Sequence, residues 1–252
     1  MRFLLTAITL AIALTGNAEA ARKKAKYVVP EFSAKSYLIA DSAGAVLKEH
    51  DMDAILPIAS ISKLMVGLLA ADQDLDEVLS VPKERLIHSS IPKTISFLTR
   101  RDLLTLSLVK SDNLAAQVLC SNISLCVEKM NERAAEIGMS KTHYVEPTGL
   151  SAENISTAND LLKLLLIAAQ HSIISQLSSM PVAEIVTADT SIRIKNTNPL
   201  TKKFNISLSK TGYTKPAGGC IVMILNSNVG QRILILLGSK NARTRFPDME
   251  RL

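Results

Sequence analysis

The stretch Pro57-Ile-Ala-Ser-Ile-Ser-Lys-Leu-Met65 places a serine and a lysine three positions apart, directly after a proline-bearing loop. Apolar residues then recur at helical spacing, which predicts a helix from Ser60 to about Ala71. Residues i and i+3 of a helix lie on one face, so the Lys63 amine can reach the Ser60 hydroxyl. A serine hydroxyl needs an adjacent base to become a nucleophile, and burial or a nearby cation would lower the pKa of Lys63 enough for this role. The stretch therefore predicts a serine nucleophile with a lysine base.

This spacing does not single out a site by itself, because four other serines have a lysine three positions later, at Ser80/Lys83, Ser90/Lys93, Ser107/Lys110 and Ser207/Lys210. The first two pairs enclose a proline, which disrupts a helical turn. The third pair lies within a predicted helix, and the fourth lies on a predicted strand, where positions i and i+3 point to opposite faces. Only Ser60 begins a helix after a loop.

Two further motifs follow along the chain, Ser111-Asp-Asn113 and Lys210-Thr-Gly212. In the first motif, the serine hydroxyl can relay a proton to a leaving amine, and the asparagine amide can hold a peptide group. In the second motif, the lysine and threonine offer a cation and a hydroxyl to a carboxylate, and the glycine leaves room for a second backbone to approach. The three motifs together predict a site for acyl transfer.

Three motifs of this kind, in this order, occur in β-lactamases and penicillin-binding proteins. The chain resembles the low-molecular-mass penicillin-binding proteins, the D-alanyl-D-alanine carboxypeptidase and endopeptidase family, over essentially its whole length after the leader. Further segments carry the resemblance, namely Val145-Glu-Pro-Thr-Gly-Leu-Ser151, Asn196-Thr-Asn198, and Lys210-Thr-Gly-Tyr-Thr214 followed by Ala217-Gly-Gly-Cys220. The first two of these segments are most similar to the periplasmic endopeptidase branch of that family.

The resemblance implies a fold and a set of residue roles. The implied fold is α+β, of the penicillin-recognising serine transpeptidase and β-lactamase-like type, with an antiparallel sheet covered by helices and an all-helical subdomain. Ser60 would be the acylated nucleophile, Lys63 the general base and Ser111 the proton relay. The backbone N–H groups of Ser60 and Tyr213 would form the oxyanion hole. The substrate or a penicillin would be held by Asn113, Lys210, Thr211, Tyr213 and Arg245.

The same resemblance implies the ligands of the site. The substrates would be peptidoglycan stem peptides, and β-lactams would act as covalent inhibitors. No organic cofactor is expected. No metal is expected either, because the four histidines are scattered without ligand spacing.

Residue patterns by themselves also predict an α+β fold. Two short strands around a glycine-bearing turn are expected within residues 36–50, and three more strands begin at about residues 205, 220 and 232. Helices are expected between these strands, over residues 101–119, 126–137 and 157–169. Strands at both ends of the chain with helices between them predict that the terminal segments share one antiparallel sheet.

The N-terminus has the pattern of an export signal. Residues 1–20 combine a positive start, a short apolar run and the small-residue ending Ala18-Glu-Ala20, which predicts a secretory signal peptide. An uncleaved membrane anchor is the alternative, although the apolar run is short for a membrane span. Residues 21–32 are interpreted as a polar leader and residues 33–252 as one DD-peptidase domain in the periplasm. No later segment is apolar over a membrane-spanning length, so no stable membrane anchor is expected after signal cleavage.

The remaining composition excludes a nucleic-acid partner and leaves one cysteine pair open. The 252-residue chain has 29 Lys and Arg against 23 Asp and Glu, a net charge of +6. This charge is diluted along the chain without the interleaved aromatic residues that single-stranded nucleic acids require. Cys120 and Cys126 could pair in an oxidising compartment if the chain turns between them. Cys220 would then be left over as a small buried residue.

Three alternatives to an endopeptidase stay open. A carboxypeptidase is one, because Arg245 lies roughly where carboxypeptidases of this kind place an arginine that grips the terminal carboxylate, although it could equally be a solvated surface arginine. A class A β-lactamase would need a glutamate in a Glu-x-x-Leu-Asn setting, which neither Glu146 nor Glu153 has. Slow deacylation of β-lactams is therefore expected. A non-catalytic wall-binding scaffold is the third alternative.

Overall fold

The strands at the two ends of the chain form one antiparallel sheet. The computed structural model describes residues 32–85, 89–187, 190–228 and 230–252, so the predicted signal peptide (1–20) and almost all of the leader (21–32) lie outside the described residues. In chain order the strands are β1 (Ser36–Asp41), β2 (Val46–His50), β3 (Leu56–Pro57), β4 (Val78–Ser80), β5 (Phe97–Thr99), β6 (Ile155–Ser156), β7 (Val182–Val186), β8 (Ser191–Lys195), β9 (Ile206–Thr214), β10 (Gly218–Ser227) and β11 (Gly230–Ser239). The main sheet has the order β2-β1-β11-β10-β9, which confirms the predicted sharing of one sheet by both ends.

Helices occupy the middle of the chain and its end. They are α1 (Lys63–Ala71), α2 (Arg100–Thr105), α3 (Asn113–Ser121), α4 (Cys126–Glu136), α5 (Ala158–Ala168), α6 (Ser172–Ser179) and α7 (Arg245–Arg251). In the described part of the chain, no single helix is long and apolar enough to cross a membrane; α5 and α6 together pass by length and composition but are bent by 110° at their break.

Both faces of the main sheet are covered, as the sequences of its inner strands require. β10 and β11 are near-continuous apolar runs, and successive side chains of a strand point to opposite faces. Val222 and Ile224 belong to the larger core, which includes the residues of α1 and α5. Ile221 and Met223 belong to a smaller core on the other face, together with Met249 of α7. The sheet therefore lies between two layers of helix.

Helix α1 is the centre of the larger core. Every residue from Lys63 to Ala70 is buried, and the helix contacts α2, α3, α4, α5 and α6. A helix that is apolar on all sides is stable only when it is buried in this way. The predicted helix from Ser60 to about Ala71 is confirmed, with its first turn, Ala59–Ser62, in 3-10 geometry. Ser60 is consequently fixed in the turn that leads into this buried helix.

The predicted helix over residues 101–119 is wrong in its middle. After α2, a π-helical turn covers Leu106–Lys110, and Ser111 adopts a left-handed conformation with φ 60°. The extended Asp112 then caps α3 by accepting a hydrogen bond of 3.1 Å from the Ala115 N–H. Aspartate favours this position because its side chain competes for backbone N–H groups inside a helix and satisfies one at a helix start. Ser111 therefore lies at a junction between helices instead of on a helix face.

The other predicted elements are close to the observed ones, but several short elements were not predicted. The hairpin of β1 and β2, the three strands β9 to β11, and the helices α4 and α5 are confirmed. The sequence prediction lacks α6, the hairpin of β7 and β8, and the two-stranded pairs β3-β6 and β4-β5. Each of these missed elements is too short for its periodicity to be decisive.

The described cysteines form one disulfide and one free thiol. Cys120, near the end of α3, is bonded to Cys126, the first residue of α4, across a Cα–Cα distance of 5.4 Å. Cys220 is free and buried in β10. The pairing that the sequence left open therefore closes the turn between two helices of the helical region.

We expect the double variant Cys120→Ser/Cys126→Ser to lose about 2 kcal/mol of unfolding free energy, because a short cross-linked loop restricts the unfolded chain only moderately. Urea unfolding of both proteins, with and without a reductant, measures this difference. The reductant should lower the stability of the wild type and leave the double variant unchanged, since Cys220 is a free thiol in both. Equal stability of the oxidised and reduced wild type would contradict the prediction.

Candidate active site

Ser60 and Lys63 are in contact, as their spacing predicts. The Lys63 amine lies 2.8 Å from Ser60 Oγ, 2.8 Å from Asn113 Oδ1 and 2.6 Å from the backbone carbonyl of Thr148. Lys63 is fully buried, whereas Ser60 is partly exposed. The amine thus contacts three oxygens. One of them is a hydroxyl oxygen, that of the predicted nucleophile Ser60, and the other two are carbonyl oxygens.

The second pair of predicted residues, Ser111 and Lys210, is also in contact. The Lys210 amine donates to Ser111 Oγ at 2.7 Å and to the carbonyl of Thr211 at 3.0 Å. Lys210 lies in β9, the edge strand of the main sheet, and its side chain is buried. The left-handed turn at Ser111 therefore brings a hydroxyl from the helical region to a lysine of the sheet.

Burial lowers the pKa of both lysines. It lowers the pKa of Lys63 to about 7, against the opposing effect of the nearby carboxylates of Glu146 and Asp112. A lysine with this pKa is to a large extent a free amine at neutral pH, the form that can accept a proton from a hydroxyl. Burial also lowers the pKa of Lys210 well below its ordinary value, with smaller effects of the Lys63 and Arg245 cations. The site can therefore hold a lysine base near neutral pH.

Asp112 fixes the segment between Ser111 and Asn113. Besides capping α3, its carboxylate accepts hydrogen bonds of 3.1 and 3.0 Å from the Ser89 hydroxyl. A buried carboxylate with several donors is held in one orientation. The aspartate of this motif consequently positions its two neighbours, which themselves contact Lys210 and Lys63.

The lysine-threonine-glycine motif lies on β9 and lines the same site. The Thr211 hydroxyl donates to Thr197 Oγ1 at 2.6 Å. A Cβ atom added to Gly212 would lie 2.9 Å from the backbone nitrogen of Ser60, so only glycine permits this approach of β9 to the nucleophile. The Tyr213 side chain is 48% exposed at the sheet edge. Edge strands keep one row of backbone N–H and C=O groups without a sheet partner.

Arg245 is buried behind this motif. The residue is 8% exposed, and Nη1 donates to the carbonyl of Gly212 and, at 3.4 Å, to that of Cys220. The interpretation of Arg245 as a solvated surface residue is therefore wrong. Burial lowers its pKa to about 10, which still leaves a cation at neutral pH beside the end of the motif.

The structure adds two residues that the sequence did not single out. The Thr148 carbonyl accepts from Lys63, and the Thr197 hydroxyl accepts from Thr211. The segments that contain them, 145–151 and 196–198, were noted only as points of resemblance. A backbone carbonyl has no residue-type signal, because every residue carries one.

Comparisons with known proteins agree with this geometry. The protein family described as D-alanyl-D-alanine carboxypeptidase matches residues 21–241, a range that includes all three motifs but not Arg245. A D-alanyl-D-alanine endopeptidase of Pseudomonas aeruginosa is 37% identical over 97% of this chain and 84% of its own length. One of Escherichia coli is 36% identical over 88% of this chain and 77% of its own length. The solved structure of penicillin-binding protein D2 from Listeria monocytogenes, in its ampicillin-bound form, has a TM-score of 0.79 at 29% identity, covering 88% of this chain and 97% of that chain.

The lowered pKa of Lys63 makes a prediction about stability. The unfolded chain has an ordinary lysine and binds more protons than the folded chain between pH 7 and about pH 10, so the wild type gains stability as the pH rises through this range. Lys63→Met has no such group. Its stability relative to the wild type should therefore fall by roughly 3 kcal/mol between about pH 7 and pH 9.5.

Urea unfolding at the two pH values measures this change. The control is Lys129→Met, which replaces an exposed lysine of α4 and should change the stability by nearly the same amount at both pH values. If the difference in unfolding free energy between Lys63→Met and the wild type is also the same at both pH values, folding does not change the pKa of the Lys63 amine.

Proposed function

Because this chain belongs to the D-alanyl-D-alanine carboxypeptidase family of serine peptidases, we propose that it cleaves D-alanyl cross-bridges between peptidoglycan stem peptides through an acyl-enzyme at Ser60. The observation that carries the proposal is the 2.8 Å contact between Ser60 Oγ and a buried Lys63 amine whose pKa is about 7. A hydroxyl beside a neutral amine has the base that a serine nucleophile requires.

The proposed reaction begins with acylation. The free amine of Lys63 takes the proton of the Ser60 hydroxyl while Ser60 Oγ forms a bond to the D-alanyl carbonyl carbon. The backbone N–H groups of Ser60 and Tyr213 would bind the oxyanion that forms. The carbon–nitrogen bond then breaks, and the proton from Lys63 passes through Ser111 to the leaving amine. Water hydrolyses the ester by the reverse route, with Lys63 again as the base, and Ser60 regains its proton.

The remaining predicted residues would hold the substrate. Asn113 contacts Lys63 through Oδ1, which leaves its Nδ2 donors for a substrate carbonyl. Lys210 and Thr211 would attract the carboxylate of a stem peptide or of a β-lactam. Arg245 adds a buried cation behind Gly212, and the exposed Tyr213 ring would border the peptide.

Two observations favour a cross-bridge over a terminal dipeptide as the substrate. The relatives from P. aeruginosa and E. coli, both endopeptidases by name, are 37% and 36% identical to this chain. The Arg245 guanidinium also donates hydrogen bonds to two backbone carbonyls of the protein. Fewer of its N–H groups are therefore available to bind a terminal carboxylate. We propose a periplasmic location, since the predicted signal peptide would export the chain to its substrate.

Slow release of β-lactams follows from the surroundings of Glu146. A β-lactamase of this fold would need a carboxylate free to activate water. Both oxygens of Glu146 are already occupied, Oε1 by two backbone N–H groups and Oε2 by the N–H and hydroxyl of Thr148. β-lactams would therefore inhibit the protein as long-lived acyl-enzymes.

We expect a fluorescent penicillin to label the wild type covalently and to fail to label Ser60→Ala, because Ser60 carries the one hydroxyl that contacts the Lys63 amine in the described part of the chain. Labelling followed on a denaturing gel measures this. The matched control is Ser62→Ala, which should keep its label, since the buried Ser62 hydroxyl contacts the Ala59 carbonyl and the Asn154 amide and not the Lys63 amine. A labelled Ser60→Ala protein would exclude Ser60 as the nucleophile, and rapid loss of the label from the wild type would indicate a β-lactamase.

The preferred bond is tested with two purified substrates, cross-linked muropeptide dimers and pentapeptide monomers. We expect the dimers to be converted to monomers faster than the pentapeptides lose their terminal D-alanine, with both reactions absent in Ser60→Ala. Chromatography of the products gives both rates. Conversion of the pentapeptides alone would identify a carboxypeptidase instead.

A further inference from the structure

Residues 145–151 form a tight turn that is organised by one carboxylate. Glu146 Oε2 accepts hydrogen bonds from the Thr148 N–H at 2.7 Å and the Thr148 hydroxyl at 2.6 Å. Oε1 accepts from the Gly149 N–H at 2.6 Å and the Ser151 N–H at 3.3 Å. Successive backbone N–H groups around an anion make a concave site that fixes the backbone. The Glu146 carboxylate thus occupies the concave inner side of its own turn.

The base of this turn is fastened by Asn154, which is fully buried. Its Oδ1 accepts from the Val145 N–H at 2.9 Å and the Glu146 N–H at 3.3 Å. Its Nδ2 donates to the Glu146 carbonyl at 2.7 Å. The backbone on both sides of the Glu146 side chain is therefore also held in place.

The outer side of the turn touches the site at two points. The Thr148 carbonyl accepts from the Lys63 amine at 2.6 Å. Gly149, with φ +79°, lies against the peptide bond between Ala59 and Ser60: an added Cβ would overlap the Ala59 carbonyl and lie 2.8 Å from the Ser60 nitrogen. This peptide bond is consequently enclosed by close contacts with both Gly149 and Gly212.

That enclosure matters because the Ala59–Ser60 peptide is in an unusual conformation. Ala59 has φ +48°, a left-handed value that is unfavourable for a residue with a Cβ and persists only when the surroundings impose it. The same peptide carries the Ser60 N–H, an oxyanion donor in the proposed mechanism. The turn therefore supports both the base and the peptide of the nucleophile.

We infer that Glu146 is a positioning residue for acylation: through the turn of residues 145–151 it holds the Thr148 carbonyl on Lys63 and presses Gly149 against the Ser60 peptide. This inference rests on the proposed function. Glu146 itself does not touch the substrate, because its oxygens face into the turn.

The charge of Glu146 gives this role a separate signature. The charged groups near Lys63 are Glu146 in the turn, Asp112 before α3 and Lys210 on β9. The two carboxylates favour a protonated Lys63 and so oppose the effect of burial on its pKa. Removal of the Glu146 charge therefore lowers the pKa of Lys63 further, and the pH at which acylation is half-maximal on the acid side moves down.

The decisive variant is Glu146→Gln. Each carboxylate oxygen accepts two donors, and a glutamine replaces one oxygen with an NH₂ group that would face N–H groups in either orientation. We expect acylation by penicillin to slow by roughly tenfold to a hundredfold, as for other small displacements of reacting groups. We also expect the acid limb of its pH profile to move down by roughly half to one pH unit.

Two further variants separate position from charge. Glu146→Asp keeps the charge on a side chain too short to reach all four donors, so it should acylate slowly with an acid limb close to that of the wild type. Glu153→Gln makes the same chemical change at an exposed position of the neighbouring loop and should behave as the wild type. Stopped-flow acylation from about pH 5.5 to pH 9, with rates referred to the fraction of protein that labels at the end point, gives both quantities, and thermal unfolding reports the folded fraction.

The inference is overturned if Glu146→Gln acylates as fast as Glu153→Gln at every pH. It is also overturned if both Glu146 variants lose rate only in proportion to their unfolded fraction, with the acid limb unmoved. Should Glu146→Gln not fold, slow acylation with a wild-type acid limb in Glu146→Asp supports the inference, and wild-type acylation in that variant overturns it. Failure of the wild type and Glu153→Gln to label at all would refute the proposed function, and the inference with it.

Discussion

The buried amine of Lys63 is the constraint on which the site depends. A buried amine is costly unless oxygen atoms pair with its hydrogen-bonding groups, and here the three oxygens come from Ser60, Asn113 and Thr148, in three separate segments of the chain. The site can exist only if the fold brings these segments to one point. Helix α1 makes this possible because it is buried along its length and contacts five other helices. The apolar side chains that follow Lys63 thus anchor the geometry that its amine requires.

The same burial connects stability to chemistry. Lys63 and Lys210 both have lowered pKa values because they lie in the protein interior, and the Lys63 and Arg245 cations lower the pKa of Lys210 further. Keeping a lysine unprotonated near neutral pH costs folding free energy relative to an ordinary exposed lysine. The large apolar core on the α1 side of the sheet offsets this cost. A site that was less buried would be more stable to acid, but its lysine would be protonated and unable to act as a base.

Sequence could predict the parts of this site whose chemistry belongs to a side chain. Ser60 and Lys63 follow from helical spacing, and Ser111 and Lys210 follow from motif order; the structure places each pair in contact. The break at Ser111 could not be predicted, because apolar residues continue at helical spacing on both sides of it and conceal the cap at Asp112. The Thr148 carbonyl was missed since a backbone oxygen has no signature in sequence. The disulfide stayed open because pairing depends on a turn whose geometry only the structure gives.

Glu146 shows how the same network determines what the site does with an acyl-enzyme. A carboxylate can organise a backbone turn or activate a water molecule, but the lone pairs that accept four hydrogen bonds from residues 148, 149 and 151 are not available to a water. In the proposed mechanism, deacylation then depends on Lys63 alone as base. A peptide product leaves room for water after its amine has departed, whereas the opened ring of a β-lactam stays covalently attached at that position. In this proposal, the arrangement that places Lys63 and Ser60 for acylation would therefore also make a β-lactam an inhibitor.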